Sequence, residues 1–372
     1  MRVGTFLPTP LAQVPWRVLL PLTGLVCFGA AVLHSAAGGD FSTYASSHLI
    51  RYVVFLVAAF IIARTPQSLV LMGAFPAYGA VALLLMAVEA MGAIGGGSQR
   101  WLAVGPLTLQ PSELMKPCIV LALARFYHAV PPGMTADWRA LLGAGGLIGF
   151  PMALVLLQPD LGTTLAIGFG GFIVLFLAGL PGRWFAGAII AGVAIAPIVY
   201  FFGLHDYQRR RVTTFLDPES DPLGAGYHIT QSKIAIGSGG IEGKGFGMGS
   251  QSHLDYLPEP HTDFVFATMA EEWGLLGGLA VLLVFGILLR WGWTVARNAP
   301  DRFSRLLAGG MTATIFFYVA VNLMMVMGLA PVVGIPLPFL SHGGSSMMTN
   351  MICLGALMMV ERWSRRPDSG LS

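Results

Sequence analysis

Leu257-Pro258-Glu259-Pro260-His261-Thr262-Asp263-Phe264-Val265-Phe266 marks the point where a long polar segment, 204–263, gives way to a long apolar one, 264–290. A carboxylate at the mouth of an apolar span is costly to bury, so it either serves function or stays solvated. Asp263 is therefore the first candidate functional residue. The same boundary reads as the edge of a membrane span, which makes the fold question one of counting such edges.

Composition supports that reading. Of 372 residues, 55% are hydrophobic and only 10% charged, and the mean hydropathy is +0.72. Soluble domains carry about 25% charged residues, so the composition implies a polytopic membrane protein. A net charge of +3 gives no reason to expect a nucleic-acid partner. Cys27, Cys118 and Cys353 all lie in apolar segments without a CxxC pattern; they read as small core residues rather than disulfides or metal ligands. The apolar run from Val18 reaches His34 with no small-residue cleavage site, which reads as a retained span.

Segments long and apolar enough to cross the hydrocarbon core occur at 16–37, 49–64, 68–91, 112–129, 139–158, 162–180, 184–203, 264–290, 306–329 and 346–362. The expected fold is an all-α domain of ten transmembrane helices over 1–372, with both termini cytoplasmic and one large extracytoplasmic loop, 204–263. In that orientation the short cytoplasmic loops hold Arg297, Arg302, Arg305, Arg362, Arg365 and Arg366, as the positive-inside rule asks. Arg51, Arg100, Lys116, Arg209, Arg210, Arg211, Lys233 and Lys244 fall outside. Outside cations beside polar motifs are better explained by an anionic ligand than by topology. The large loop carries Tyr227, Ile229, Ile234 and Ile236 and a run of glycines after Gly237; it should fold back onto the bundle through half-helices near 227–238. No internal repeat is visible, which counts against an inverted-repeat transporter.

Several motifs open spans on the outer side. In Gln110-Pro111-Ser112-Glu113-Leu114-Met115-Lys116, Pro111 suits the first helical turn and Ser112 the cap. Glu113 and Lys116, three apart, can pair; the pair is either a structural ion pair or one wall of an outward cavity. Asp160 in Gln158-Pro159-Asp160-Leu161-Gly162-Thr163 reads as a helix cap, or as part of an anion-binding helix end. Ser341-His342-Gly343-Gly344-Ser345-Ser346 reads as a tight turn with a serine cap, or as backbone amides for an anion. Glu271 and Glu272 lie about 12 to 14 Å beyond Asp263 at 1.5 Å per residue, with functional and structural roles both open. The charges of 205–212 and 217–222 read mainly as a solvated surface, and no tight metal-ligand cluster appears.

The run from Asp217-Pro218-Glu219-Ser220-Asp221-Pro222 through Gly239-Gly240, followed by the Pro258–Glu272 motif, resembles the SEDS family (shape, elongation, division and sporulation) of bacterial peptidoglycan polymerases. The elongation branch is the closer likeness, and the resemblance covers all ten spans. One departure is His342, where a tyrosine is usual. The resemblance implies a glycosyltransferase in the bacterial cytoplasmic membrane that polymerises lipid II on its outer face. The acceptor 4-hydroxyl would attack the anomeric carbon of the lipid-linked strand, releasing undecaprenyl pyrophosphate. Asp263 falls on the family's essential aspartate and would be the general base, a role worth roughly 10²–10⁴-fold. Arg51, Arg100, Lys116, Arg211 and Lys233 would supply positive charge for the pyrophosphate, with Gln110, Ser112, Glu113, Asp160 and Ser345 in the surrounding wall. A divalent cation such as Mg2+ is chemically suited to the same pyrophosphate. The implied partners are a class B penicillin-binding protein, which is a transpeptidase, and the elongation machinery. Two rival readings are a lipid II flippase or transporter and a non-catalytic cell-wall scaffold.

Overall fold

The computed structural model describes residues 14–91, 93–95, 98–104, 107–203, 206–217, 225–254, 256, 257 and 259–365. In chain order the elements are α1 (Trp16–Ala36), α2 (Ala45–Ala63), α3 (Gln67–Met91), three short strands β1 (Ala93–Gly95), β2 (Ser98–Val104) and β3 (Leu107–Leu109), then α4 (Pro111–Ala129), α5 (Trp138–Leu157), α6 (Leu161–Leu177), and α7 (Gly182–Ile198). They continue with α8 (Asp206–Leu216), α9 (Ala225–Ser238), the single turn α10 (Ser250–His253), α11 (Val265–Arg297), α12 (Arg302–Val326) and α13 (Gly344–Ser364). The protein is thus mostly helical and membrane-spanning. Among the described residues, seven helices, α1, α2, α3, α5, α7, α11 and α12, are long and apolar enough to cross a bilayer, and α6 is a shorter apolar one. The interrupted polar openings of α4 and α13, which carry Glu113, Lys116 and the Gly-Ser turn, dilute their hydropathy.

The core lies where α12 packs against α4, α6, α11 and α13, and where α13 packs along α2. Without a hydrophobic drive between lipid-embedded helices, close backbone approach through small residues replaces it. A Cβ on Gly355 of α13 would come within 2.9 Å of the Ala59 carbonyl of α2, and one on Gly310 of α12 within 2.4 Å of Val120 of α4. Large apolar side chains fill the rest, with Tyr127, Phe285, Phe303 and Phe339 fully buried.

Three expectations are corrected here. The fold is not purely helical: β1, β2 and β3 form a small antiparallel sheet in chain order, with Ile94 opposite Gln99 and Ala103 opposite Thr108. Two closely spaced hairpins satisfy their backbone groups locally, so the segment between α3 and α4 needs no helix. Cys27 is exposed on the outside of α1, Cys118 is partly buried, and only Cys353 is a core residue; a lipid-facing cysteine costs nothing that a core one gains. Ser112 is not the cap of α4, because the helix begins at Pro111 and Gln110 occupies the cap position. The Ser112 hydroxyl is buried without a hydrogen bond among the described residues.

The large loop does fold back. α9 packs against α11 and α12 with Ile229 and Ala235 buried, and the Ser232 hydroxyl donates to the Val326 carbonyl at 2.7 Å; Ile234 faces outward at 45% exposure. Arg209 of α8 is not simply solvated, because its guanidinium donates to the Tyr200 and Phe201 carbonyls, each at 3.0 Å. The glycine run meets a break in α11. Gly274 takes φ 62° and ψ −158° inside the helix, which frees backbone groups on both sides. The loop pairs them: Lys244 N and Gly245 N donate to the Glu271 and Glu272 carbonyls, both at 3.0 Å, and Leu275 N and Leu276 N donate to the Gly240 and Ile241 carbonyls at 2.9 and 3.2 Å. A Cβ on Gly239 would stand 2.0 Å from the Ala270 carbonyl, so only glycine permits this approach. Glu271 completes the joint through Lys244 Nζ at 2.5 Å and the Gln251 amide at 3.1 Å. Glu272 accepts from the Ser35 hydroxyl of α1.

Candidate functional site

Four segments that the sequence places on one side of the membrane converge on a cavity of about 490 Å³. They are the end of the sheet with the start of α4, the turn before α6, the turn before α11, and the segment running into α13. Gln110, Glu113, Asp160, Asp263 and Ser345 all line it, together with Trp101, Glu259 and His342. Five of the eleven expected site residues are thereby brought to one cavity.

Asp263 immediately precedes Phe264, the cap residue of α11. Its turn closes through the Thr262 amide donating to the Glu259 carbonyl at 3.1 Å and the Thr268 hydroxyl donating to the Pro260 carbonyl at 3.3 Å. Opposite the carboxylate runs 333–336. A Cβ on Gly334 would lie 3.4 Å from Asp263 Oδ2, and Gly334 holds φ +72°, a left-handed conformation that favours glycine. The carboxylate therefore lies close to the backbone of Gly334.

Asp160 takes the capping role and also stands in the cavity lining. It caps α6, its carboxylate accepting from Thr163 N at 3.0 Å and Thr163 Oγ1 at 2.9 Å, and it lines the cavity, with Gln110 Nε2 at 3.5 Å. Glu113 and Lys116 are bound to one another, Nζ to Oε1 at 2.5 Å, within a buried triad. Tyr318 of α12 completes it: its hydroxyl donates to Glu113 Oε2 and accepts from Lys116 Nζ at 2.7 Å. Glu113 reaches the cavity, whereas Lys116 is 1% exposed and does not line it. Ser345 stands in the first turn of α13, whose cap residue, Gly343, has no side chain to satisfy the free amides.

Arg51 of α2 closes the rim. Its Nη1 contacts His342 Nε2 at 2.9 Å, and its guanidinium passes about a van der Waals contact from Gly344, where a Cβ would meet Arg51 Nε at 3.5 Å. Ser47 Oγ approaches the same His342 nitrogen at 3.0 Å. The guanidinium can only donate, so His342 Nε2 accepts from it and the imidazole is neutral. Burial, then the Arg51 charge, then His261 push the His342 pKa down to about 4. Burial also lowers that of His261, against an opposing pull from Glu259. His261 stacks on Tyr44 with centroids 4.1 Å apart and planes 8° apart. One guanidinium thus stands against His342 and Gly344, two of the residues that line the cavity.

The other expected cations are elsewhere. Lys233 of α9 packs against Gly328 at the end of α12 and does not line the cavity. The side chains of Arg100 and Arg211 lie outside the described residues. Glu271 and Glu272 serve the α11 joint rather than the cavity. Among the described residues, no group of three or more His, Cys, Asp or Glu side chains is arranged to hold a metal ion. Tyr318 and Asn322 escaped the sequence reading, and His342 entered it without a role. The first two were detectable as polar groups four apart on one face of an apolar span. Asn322 Nδ2 donates to the Asp263 carbonyl at 2.9 Å and to the Ile335 carbonyl at 2.8 Å.

The family model for the FtsW, RodA and SpoVE cell cycle proteins matches residues 12–366. The chain belongs to this family. Among its relatives is the peptidoglycan glycosyltransferase MrdB of Escherichia coli K12, 45% identical over 345 residues and 92% of each chain. Another is the stage V sporulation protein E of Bacillus subtilis, 38% identical over 286 residues and 76% of each chain. The fold matches that of a chain in a peptidoglycan synthase complex that coordinates polymerization and crosslinking, at TM-score 0.83 and 33% identity, covering 95% of this chain and 98% of that one. It also matches the rod shape determining protein RodA of Thermus thermophilus at TM-score 0.71 and 30% identity, with the same coverage. Family membership accounts for the shared membrane fold.

Proposed function

We propose that this chain, a peptidoglycan glycosyltransferase of the family just described, joins lipid II units into glycan strands at the Asp263 cavity on the outer face of the bacterial cytoplasmic membrane during cell elongation. The observation that carries the reading is the placement of Asp263 in one polar cavity with the start of α13, where Arg51 stands against the lining residues His342 and Gly344. Asp263 Oδ2 takes the proton from the acceptor 4-hydroxyl as that oxygen attacks the anomeric carbon of the lipid-linked strand. The bond from that carbon to pyrophosphate breaks, and the negative charge that develops there falls to Arg51 and the free amides around Ser345. Gln110, Glu113 and Asp160 offer hydrogen-bonding partners to the sugars. Arg100 and Arg211 are further cation candidates for the pyrophosphate, and a divalent cation such as Mg2+ would bind the pyrophosphate itself.

A second cavity, of about 390 Å³ and apolar, is lined by Leu165, Phe169, Phe172 and Phe317 and shares Val333 and Ile335 with the first. A polar cavity that shares wall residues with an apolar groove suits a substrate with a sugar-pyrophosphate head and a polyprenyl tail. The ten helices α1–α7 and α11–α13 form one transmembrane domain, with its two ends cytoplasmic as the Lys and Arg distribution asks. A class B penicillin-binding protein and the elongation machinery are the expected partners, a reading supported by the synthase complex among the structural matches. The test is a gel-based polymerisation assay with purified protein, its transpeptidase partner and labelled lipid II. Wild type should make polymer and Asp263→Asn should make none, with membrane insertion and partner binding intact. Polymer from Asp263→Asn at the wild-type rate would sink the base assignment, and translocation without polymer would favour the transporter reading.

A further inference from the structure

We propose that Asn322 is a positioning residue for the reaction, fixing the Asp263 carboxylate against the opposite wall of the cavity; this rests on the assignment of Asp263 as the base. Asn322 is fully buried in α12, within a span where an amide is costly to place. Its two N–H groups are spent on two carbonyls from segments far apart in the chain, Asp263 O at 2.9 Å and Ile335 O at 2.8 Å. Its own oxygen has no partner among the described residues. Turning the amide over would set that oxygen against two carbonyls, so the orientation is fixed by the acceptors.

An asparagine kept for two donors, with its acceptor left unsatisfied, is there for what it holds. What it holds is the distance across the site. The Asp263 carbonyl belongs to the residue whose carboxylate does the chemistry, and the Ile335 carbonyl belongs to the wall that the carboxylate faces, one residue from Gly334. One side chain on a packed helix thus sets both sides of the gap into which the acceptor hydroxyl must fit. Tyr318, one turn earlier on the same helix, holds Glu113 in the adjoining wall, so α12 acts as the common reference for the two carboxylates.

Displacing a base by about 1 Å costs on the order of 100-fold in rate without removing substrate contacts. The test uses Asn322→Asp, close to isosteric but turning acceptors toward both carbonyls, and Asn322→Ser, which keeps one donor. Turnover and the lipid II concentration for half-maximal rate are measured against pH. The expected result is a fall in turnover of about 100-fold for Asn322→Asp, a smaller fall for Asn322→Ser, an unchanged lipid II requirement, and a displaced acid limb of the pH–rate profile. Turnover that falls only in step with the folded fraction, with the acid limb in place, would overturn the proposal. So would failure of both variants to fold, since Asn322 would then serve the fold itself. If Asp263→Asn retains activity, the base assignment fails; if Asp263→Asn is inactive and both Asn322 variants match wild type, only the positioning role fails.

Discussion

Removing one member of the Glu113–Lys116 pair strands the other in a membrane helix. In Lys116→Ala, Glu113 keeps the Tyr318 hydroxyl but loses its counter-ion at 2.5 Å. In Glu113→Ala, the Lys116 ammonium keeps the Tyr318 hydroxyl at 2.7 Å and the ring face at 4.4 Å from its centroid. Side-chain exposures of 1% and 8% leave little water to compensate either charge. Breaking a buried ion pair costs about 3–5 kcal/mol, whereas removing both charges costs far less because no orphan remains. Independent sites would give about 6–10 kcal/mol for the double variant by simple addition; the coupled pair should give no more than either single change, an interaction energy of at least about 3–5 kcal/mol. Polymerisation should follow the same pattern, with severe single defects and a double variant less impaired than their sum. The assay is a double-variant cycle on reversible unfolding in detergent, run beside polymer yield. Additivity within about 0.5 kcal/mol would refute the coupling and reduce the triad to a coincidence of position.

Two further outcomes are expected, one for His342 and one for Arg100. His342 titrates near 4 when folded against about 6.5 when unfolded, so the unfolded chain binds more protons in that window and stability should fall as pH drops from about 6.5 toward 4; His342→Tyr should flatten the slope of thermal midpoint against pH, leaving a His261 contribution, and an unchanged slope would exclude the ring. Arg100→Lys keeps charge but loses the planar fork suited to phosphate oxygens, so it should raise the lipid II requirement, with Arg100→Ala worse still; coincident lipid II titrations for wild type and both variants would remove Arg100 from the site.

The helices were legible because each apolar run is long and because the polar residues cluster at run edges. Asp263, Asp160 and Glu113 declared themselves by standing at such edges, where a carboxylate needs a reason. What stayed hidden depends on pairing across the fold. Lys116 and Glu113 look alike as a candidate pair at i and i+3, and only the position of Tyr318 decides which of them reaches the cavity. Glu271 resembles an intramembrane functional acid until Lys244 and the Gln251 amide are seen against it. The sheet at 93–109 carries too short a pattern to announce itself, and Asn322 acquires meaning only when two distant carbonyls arrive at its amide.

No residue of α7 is buried, and its ring contacts with α6 run through Phe185 near its first turn. Such a helix is held by the bilayer and by its ends, including Arg209 on the Tyr200 and Phe201 carbonyls, not by shape fit. Its evolutionary freedom should therefore differ from that of its neighbours. Along α7 any apolar residue of fair helix propensity serves, and drift in size and branching goes unpunished. Along α12 and α13, where glycines admit neighbouring helices at contact distance, a single added methyl is expensive. The bundle is rigid in its alphabet on one side and permissive on the other.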